Sequence, residues 1–99
     1  MFEKLKQFKD LRDKAKTLQD VLAKESADGA GGHGKVKVTM DGTQKVTTVS
    51  IDPSMLKETE QTKLEAAVKE AVNDAQHKVQ AKVMEKMKGM GDLGIPGLS

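Results

Sequence analysis

The chain has 99 residues with 17 basic and 15 acidic side chains, no cysteine, and two aromatic residues, both phenylalanine. This length allows one domain with a thin core, which we expect a second copy of the chain to complete. The absence of cysteine excludes a disulfide scaffold, a thiolate metal site and a cysteine nucleophile. No apolar run reaches the roughly 18 residues that a membrane span needs, and charges at Glu3 and Lys4 argue against a signal peptide. We therefore expect a cytoplasmic protein.

The first 25 residues are predicted to form one long amphipathic helix. Their apolar residues recur every three or four positions, which places them on one helix face; they are Leu5, Phe8, Leu11, Ala15, Leu18 and Leu22. The glycine-rich residues Gly29 to Gly34 are predicted to end the helix and to form a flexible connection. They also match the G-x-G-x-x-G nucleotide fingerprint, but here a helix precedes and a strand follows, the reverse of the required order.

The middle of the chain is predicted to form an antiparallel β-hairpin. Apolar and polar residues alternate in two runs, whose apolar members are Val36, Val38, Met40, Val49 and Ile51. Asp41 and Gly42 are typical turn residues, because glycine tolerates the positive φ of hairpin turns. An even loop length would bring the apolar members of both strands to one face of the sheet. Asp52 and Pro53 are predicted to end the second strand.

The last long element is predicted to be a helix from Thr59 to Lys88. Its apolar residues again recur at helical spacing; they are Leu64, Val68, Val72, Ala75, Val79, Val83, Met87 and Met90. Thr59 is a candidate N-cap, and Gly89 and Gly91 are stop signals. One domain is therefore predicted over residues 1–90, followed by a flexible Gly/Pro tail over residues 91–99.

A helix of this size is about 45 Å long, whereas a compact chain of this length has a radius of gyration of about 13 Å. The helix must therefore project, and we expect the two helices to form an antiparallel pair with Leu18 and Leu22 near Val68 and Val72. The projecting tip would then carry Leu5, Phe8, Val83 and Met87. A two-stranded hairpin is marginal by itself, so we expect two copies to join their sheets, edge to edge or face to face.

This pairing would bring two lysine-rich segments together at the projecting tip. Residues 1–25 hold seven basic and five acidic residues, and residues 77–99 hold four basic and two acidic residues. Lys78, Lys82 and Lys86 follow at intervals of four, where like charges repel by roughly 0.2–0.5 kcal/mol per pair.

Lysines near the start of the first helix oppose its dipole as well. A solvated charged face is the alternative explanation, but repeated electrostatic cost at one tip favours a surface for a polyanion. The predicted DNA-binding residues are Lys4, Lys6, Lys9, Arg12, Lys78, Lys82, Lys86 and Lys88.

No arrangement of residues indicates catalysis, a metal, a cofactor or a small-molecule substrate. His33 and His77 are the only histidines and lie on different predicted elements, so a shared metal site is not expected. No serine lies in a G-x-S-x-G turn, and Asp52 before proline is typical of a turn. We therefore predict that the protein is not an enzyme.

Several segments together resemble the YbaB/EbfC family of nucleoid-associated proteins. The strand and turn at residues 35–42 (KVKVTMDG) are similar to that family's V-K-V-T-x-[ND]-G, and residues 51–56 (IDPSML) to its I-D-P-S-L-L. Residues 71–75 (AVNDA) are similar to its A-x-N-D-A, residues 85–87 to its E-K-M, and residues 94–98 to its Gly/Pro-containing end. The order and spacing of these segments carry the resemblance over most of the chain.

The resemblance implies an α-β-β-β-α chain that forms a tweezer-shaped homodimer, binds double-stranded DNA with little sequence preference, lies on the bacterial nucleoid and catalyses no reaction. It also implies a strand before the glycine-rich segment, although residues 24–28 contain no β-branched or aromatic residue. The expected fold is therefore α+β, with a long N-terminal helix, a small antiparallel β-hairpin or three-stranded sheet, and a long C-terminal helix.

We predict that basic helix tips of the homodimer contact duplex phosphates with few base contacts, because the chain has a single arginine, the usual guanine reader. The alternative is a protein-interaction adaptor that clamps a DNA-repair or replication partner between its projecting helices. An apolar inner surface between those helices, with basic residues pointing away, would mark the adaptor.

Overall fold

The computed structural model describes residues 2–92, and the side chains of residues 9–89. The elements in chain order are α1 (Phe2–Ala23), β1 (Ser26–Gly31), β2 (Val36–Asp41), β3 (Val46–Ile51), two 3-10 turns (Pro53–Met55 and Glu58–Glu60) and α2 (Gln61–Asp92). The three strands form an antiparallel sheet in the order β1-β2-β3, so the fold is α+β. The chain measures 64 × 27 × 16 Å, which confirms that it projects beyond a compact body.

The strand β1 is the element that the residues by themselves did not predict. It pairs with β2 from Ser26 opposite Asp41 to Gly31 opposite Val36. Gly29 and Gly31 therefore lie inside a strand, and the prediction of a flexible connection beginning at Gly29 was wrong. The sheet has three strands because β2 supplies a partner edge for a segment with little strand preference of its own.

The second hairpin has the predicted face but not the predicted loop. Val38 lies opposite Val49, as expected. However, the Asp41 amide donates to the Lys45 carbonyl at 2.9 Å, which leaves an odd, three-residue loop. An irregularity after Thr39 inserts one extra residue into β3 and so restores the register.

Gly42 does not have a positive φ; within this loop that conformation is adopted by Gln44, at 66°. Glycine is required at position 42 for another reason. The Gly42 amide donates to the carbonyls of Leu22 and Glu25, each at 3.0 Å. A β-carbon on Gly42 would overlap the Leu22 carbonyl. The hairpin loop is thus joined by its backbone to the end of α1.

One face of the sheet is covered by α2 through a seam of small residues. The buried residues of α2 are Ala67, Ala71, Ala75 and Val79, and the three alanines lie against the glycines of β1. Ala75 and Val79 of the predicted apolar stripe are buried as expected, whereas its members Leu64, Val68 and Val72 are only partly buried beside this core. Alanine occupies the centre because helix and strand backbones approach too closely for a larger side chain.

Both predicted ends of α2 differ from the structure. A 3-10 turn (Glu58–Glu60) precedes α2, and Lys57 occupies the N-cap position of that turn without a side-chain cap. Thr59 lies inside the turn and is therefore not the N-cap. The helix continues through Gly89 and Gly91 to Asp92, because each glycine costs a helix only about 1 kcal/mol. Residues 93–99 of the predicted tail lie outside the described residues, and the domain boundary at residue 90 stays a prediction.

The predicted pairing of α1 along α2 was wrong. An ion pair between Glu25 and Lys86 places the end of α1 beside the far part of α2, about 27 Å along the helix from Val68. On the described part of the apolar face of α1, Leu11 is 66% exposed and Ala15 is exposed, whereas Leu18 and Leu22 are half-buried. β1 follows α1 and takes the place against α2 that was expected for α1. The predicted tip contacts of Leu5 and Phe8 lie outside the described side chains.

Candidate nucleic-acid interface

Three lysines of α2 form a row beside the start of β1. Lys78 Nζ lies 3.0 Å from Asp74 Oδ2, and Lys86 Nζ lies 3.6 Å from Glu25 Oε1. Between them, Lys82 Nζ donates to the Ser26 carbonyl at 2.6 Å. The repulsion expected within this row is therefore relieved, because Asp74 on α2 itself, Glu25 before β1 and the Ser26 carbonyl of β1 supply acceptors.

Asp74 links the row to the edge of the sheet. Its Oδ2 accepts a hydrogen bond from the Ala30 amide at 3.0 Å and also faces Lys78. The Ala30 amide, followed by the Lys78 ammonium, holds the pKa of the Asp74 carboxyl below its ordinary value. Asp74 therefore stays ionised and satisfies a backbone donor at the open edge of β1.

The lysines of the row remain accessible although they are paired. The Lys78 side chain is 56% exposed and that of Lys86 is 49% exposed. Exposed ion pairs contribute about 0–1 kcal/mol because water screens them. An external anion can therefore compete for these ammonium groups, whose positions the pairs hold beside β1.

The other predicted residues lie elsewhere on the helices. Lys9 and Arg12 are exposed on α1, and Lys88 is exposed near the end of α2. Among the described side chains, no hydrogen bond or ion pair joins Lys9 or Arg12 to the lysine row. Lys4 and Lys6 lie outside the described side chains, so the convergence of all eight residues stays a prediction.

Sequence reasoning missed the two carboxylates at this surface. Asp74 could have been found, since it stands four residues before Lys78, the spacing of a helical ion pair. Glu25 is far from Lys86 in the chain, and only the tertiary fold brings them together.

Among the described residues, no group of three or more potential ligands is placed to hold a metal ion. Neither described helix has the length and apolar character of a membrane-spanning segment.

The fold and this surface define an α+β protein with a three-stranded antiparallel sheet and a lysine-bearing helix along one face. The model of the YbaB/EbfC DNA-binding family matches residues 1–94, and the chain belongs to that family. The family is described as DNA-binding rather than enzymatic.

The chain is similar in sequence to named relatives over nearly its whole length. A nucleoid-associated protein of Nitrobacter hamburgensis is 40% identical over 93 residues, which are 93% of this chain and 88% of the relative. A nucleoid-associated protein of Brucella ovis is 38% identical over 96 residues, which are 97% of this chain and 89% of the relative. The crystal structure of the uncharacterized protein HP0035 from Helicobacter pylori has a similar fold, with a TM-score of 0.59 at 19% identity, covering 85% of this chain and 98% of that one.

Proposed function

We propose that this protein is a nucleoid-associated protein of the bacterial cytoplasm that binds double-stranded DNA with low sequence specificity. The observation that carries the proposal is the exposed row of Lys78, Lys82 and Lys86, which extends over about 12 Å of helix. Duplex DNA carries about one charge per 1.7 Å of its axis, so the row spans several phosphates. The family and the names of its relatives support the same function.

Binding would proceed by exchange of partners at the lysine row. A DNA phosphate replaces water and part of the contact with Asp74 or Glu25, and the counterions condensed on the duplex are released. Lys78 and Lys86 keep a carboxylate beside them during the exchange, whereas Lys82 exchanges its contact with the Ser26 carbonyl. We propose that Lys4, Lys6, Lys9, Arg12 and Lys88 add further phosphate contacts from the helix ends.

The protein would act as a tweezer-like homodimer. The apolar face of α1 supports this, because Leu11 is exposed and finds no core in its own chain. The thin core of α2, built largely from alanine, supports it as well. Two copies would double the number of phosphate contacts and raise the affinity accordingly.

Low specificity follows from the side chains that the surface offers. Phosphate contacts position a protein on the duplex without reading its bases. Lysine contributes a point charge, whereas arginine reads guanine in a bidentate manner, and Arg12 is the only arginine in the chain. We propose no catalytic activity and no cofactor.

The test compares two triple variants of equal charge. In the first, Lys78, Lys82 and Lys86 become glutamine; in the control, Lys57, Lys63 and Lys69 near the start of α2 become glutamine. Binding to a random-sequence duplex is followed by fluorescence anisotropy at several salt concentrations. Each lost phosphate contact lowers the slope of log K against log salt by about 0.9. The first variant removes three lysines from each copy, so it is expected to lose about 2–3 of slope for each copy that contacts the duplex, or about 5 when both copies do.

The control triple is expected to keep a slope close to that of the parent. Equal losses in both variants would mean that net charge, rather than the lysine row, carries binding. A parent chain that does not bind duplex DNA at low salt would overturn the proposed function. Circular dichroism of all three proteins confirms that the substitutions leave the helices and sheet intact.

The second candidate is an adaptor that clamps a DNA-repair or replication protein. Exposed apolar side chains on both helices favour it, since Leu11 and Met84 are 66% and 64% exposed. An adaptor would retain its partner after nuclease treatment and lose it on Leu11→Asp, whereas the lysine substitutions would have little effect. The DNA-binding proposal expects the opposite pattern.

A further inference from the structure

An open cleft lies at the end of the sheet away from the lysine row. The row adjoins Ser26 at the start of β1, whereas the cleft lies beside the turn that joins β1 to β2. Its other walls are the segment of 3-10 turns and the first turns of α2. Its volume is about 610 Å³, within the range of about 300–1,000 Å³ that is typical of small-molecule sites.

Three separate segments each bring a lysine to this cleft. Lys35 comes from the β1–β2 turn, Lys57 from between the two 3-10 turns, and Lys63 from the first turn of α2. Lys63 pairs with Glu60 at 3.8 Å. Neither Lys35 nor Lys57 forms an ion pair with another described side chain. Positive charges from three segments thus meet around one concave surface, which favours an anion that can contact more than one of them.

The floor of the cleft is apolar. Met55 is 4% exposed and Ala67 is 2% exposed, and both residues line the cleft. Because a methionine sulfur makes favourable contacts with aromatic rings, this floor suits a flat ring system better than a hydrated inorganic ion. Glu60 and Glu70 also line the cleft, and their carboxylates can accept hydrogen bonds from N–H and O–H groups of a ligand.

Hydrogen bonds within the chain hold the walls of the cleft in place. The Asp52 amide donates to the Lys35 carbonyl at 2.8 Å, which joins the end of β3 to the β1–β2 turn. The Asp52 carboxylate accepts from the Ser54 amide at 2.9 Å and so caps the first 3-10 turn. The Ser54 amide and hydroxyl and, more weakly, the Lys35 charge hold the pKa of the Asp52 carboxyl below its ordinary value. A cleft whose walls are already fixed loses less entropy when a ligand binds.

His33 lines the cleft in a left-handed backbone conformation, with φ at 58°. Its neighbours Gly32 and Gly34 also have positive φ, at 59° and 85°, and glycine adopts such angles freely. A histidine at this position costs more than a third glycine would. Residues held in such conformations are concentrated at ligand sites, and here the imidazole adds a polar group to the rim of the cleft.

We propose that this cleft binds a small molecule that carries phosphate groups on a planar ring system, which is the chemistry of a nucleotide. The lysines contact the phosphates through charge-assisted hydrogen bonds, and Met55 lies against the ring. The site is separate from the DNA surface, because about 22 Å of helix lies between Lys63 and Lys78. A duplex keeps its bases stacked inside and therefore cannot place a ring on this floor.

Titration with ADP, followed by amide-resolved NMR of the full chain, tests the site. ADP is expected to shift the amide signals of Gly32, His33 and Lys57 saturably. Adenosine lacks the phosphates and pyrophosphate lacks the ring, so each is expected to bind about tenfold more weakly than ADP. No saturable shift up to about 10 mM ADP, which nearly fills a site with a Kd of about 1 mM, would overturn the proposal. Pyrophosphate that binds as tightly as ADP would overturn the ring contact.

The two glutamine triples used for DNA binding separate the cleft from the lysine row. The triple at Lys57, Lys63 and Lys69 is expected to bind ADP about tenfold more weakly and to keep the salt slope of DNA binding. The triple in the lysine row is expected to show the reverse. Equal losses of ADP affinity in both would mean that ADP follows net charge and would overturn the cleft site. Since no DNA is present in the ADP titrations, their failure leaves the proposed function standing.

His33→Gly adds a measurement that separates a ligand contact from a structural role. Glycine relieves the left-handed backbone, so the urea midpoint is expected to stay level or rise while ADP affinity falls severalfold. Gln44→Gly is the matched control, because Gln44 is a second left-handed residue of the described chain and does not line this cleft. It is expected to raise the midpoint and to bind ADP like the parent. Unchanged ADP affinity in His33→Gly would contradict the contact at His33.

Discussion

Gly31 of β1 approaches Ala67 of α2 so closely that a β-carbon on Gly31 would overlap the Ala67 carbonyl oxygen. Ala67 itself is only 2% exposed. Gly29 stands in the same relation to Ala71 and Ala75. Strand and helix are thus in backbone contact along this seam, which determines how α2 lies on the sheet and therefore where its lysine row meets β1.

Gly31→Ala is expected to destabilise the protein by about 1–3 kcal/mol or more, because the added methyl group meets backbone that has no room to move. Urea denaturation measures the change. The control is Gly89→Ala in the exposed part of α2, where the added carbon would meet open space outside its own helical turn. That substitution is expected to stabilise the protein by up to about 1 kcal/mol, so similar effects at both sites would contradict the close seam.

Asp74 is expected to make stability depend on pH in the acid range. Its pKa is lowered in the folded chain, so its contribution is complete above the unfolded value of about 3.9. The contribution is lost as the pH falls from there through the folded pKa, because the unfolded chain then binds more protons. Asp74→Asn keeps an acceptor for the Ala30 amide but not the charge. Urea midpoints measured from pH 7 to pH 3 should fall less steeply in this variant, and parallel curves would contradict the assignment.

Glu25 is expected to restrain DNA binding through its ion pair with Lys86. Glu25→Gln removes a carboxylate that repels phosphate and releases Lys86 from its partner. Because an exposed pair is worth at most about 1 kcal/mol, duplex affinity should rise by no more than about fivefold. Anisotropy titration at low salt measures the change, and Glu60→Gln, which breaks the pair with Lys63 near the start of α2, is the matched control. Weaker binding by Glu25→Gln would contradict a phosphate contact at Lys86.

Gln44 holds a left-handed backbone conformation at the tip of the hairpin, with φ at 66°. For an L-residue this conformation costs about 1–2 kcal/mol, and glycine adopts it freely. After the greater flexibility of glycine in the unfolded chain is counted, Gln44→Gly should stabilise the protein by about 0.5–1 kcal/mol. Thermal and urea unfolding measure this, and Lys45→Gly at the next position should instead lower stability. A loss of stability in Gln44→Gly would show that the side chain matters more than the backbone.

The hairpin and the two helices were predictable because their signals are local. The alternation of apolar residues predicts that Val38 and Val49 lie on one face of the sheet. This held although the loop has three residues, because the bulge in β3 restores the register. The role of Gly42 was misread, since its need for glycine comes from the Leu22 carbonyl and not from its own φ. Gly42 and Leu22 are far apart in the chain, so the sequence pattern does not indicate their contact.

The spacing of the lysines at positions 78, 82 and 86 predicted that they form a row, but it did not predict which groups they pair with. Their partners come from the helix itself at Asp74, from the link before β1 at Glu25, and from the β1 backbone at Ser26. Residue spacing reports neighbours on the same helix, whereas two of these three contacts depend on where another segment lies.

The chain by itself determined the family, the α+β class, the helical and strand periods and the excess of lysine at both ends, because each is a property of composition or of near neighbours. The family resemblance implied a strand before the glycine-rich segment, but only the tertiary structure decided that SADGAG is this strand and that small residues form the central seam of α2. A glycine-rich segment has no strong preference of its own, so its conformation is set by the β2 edge and the alanine face that pack against it.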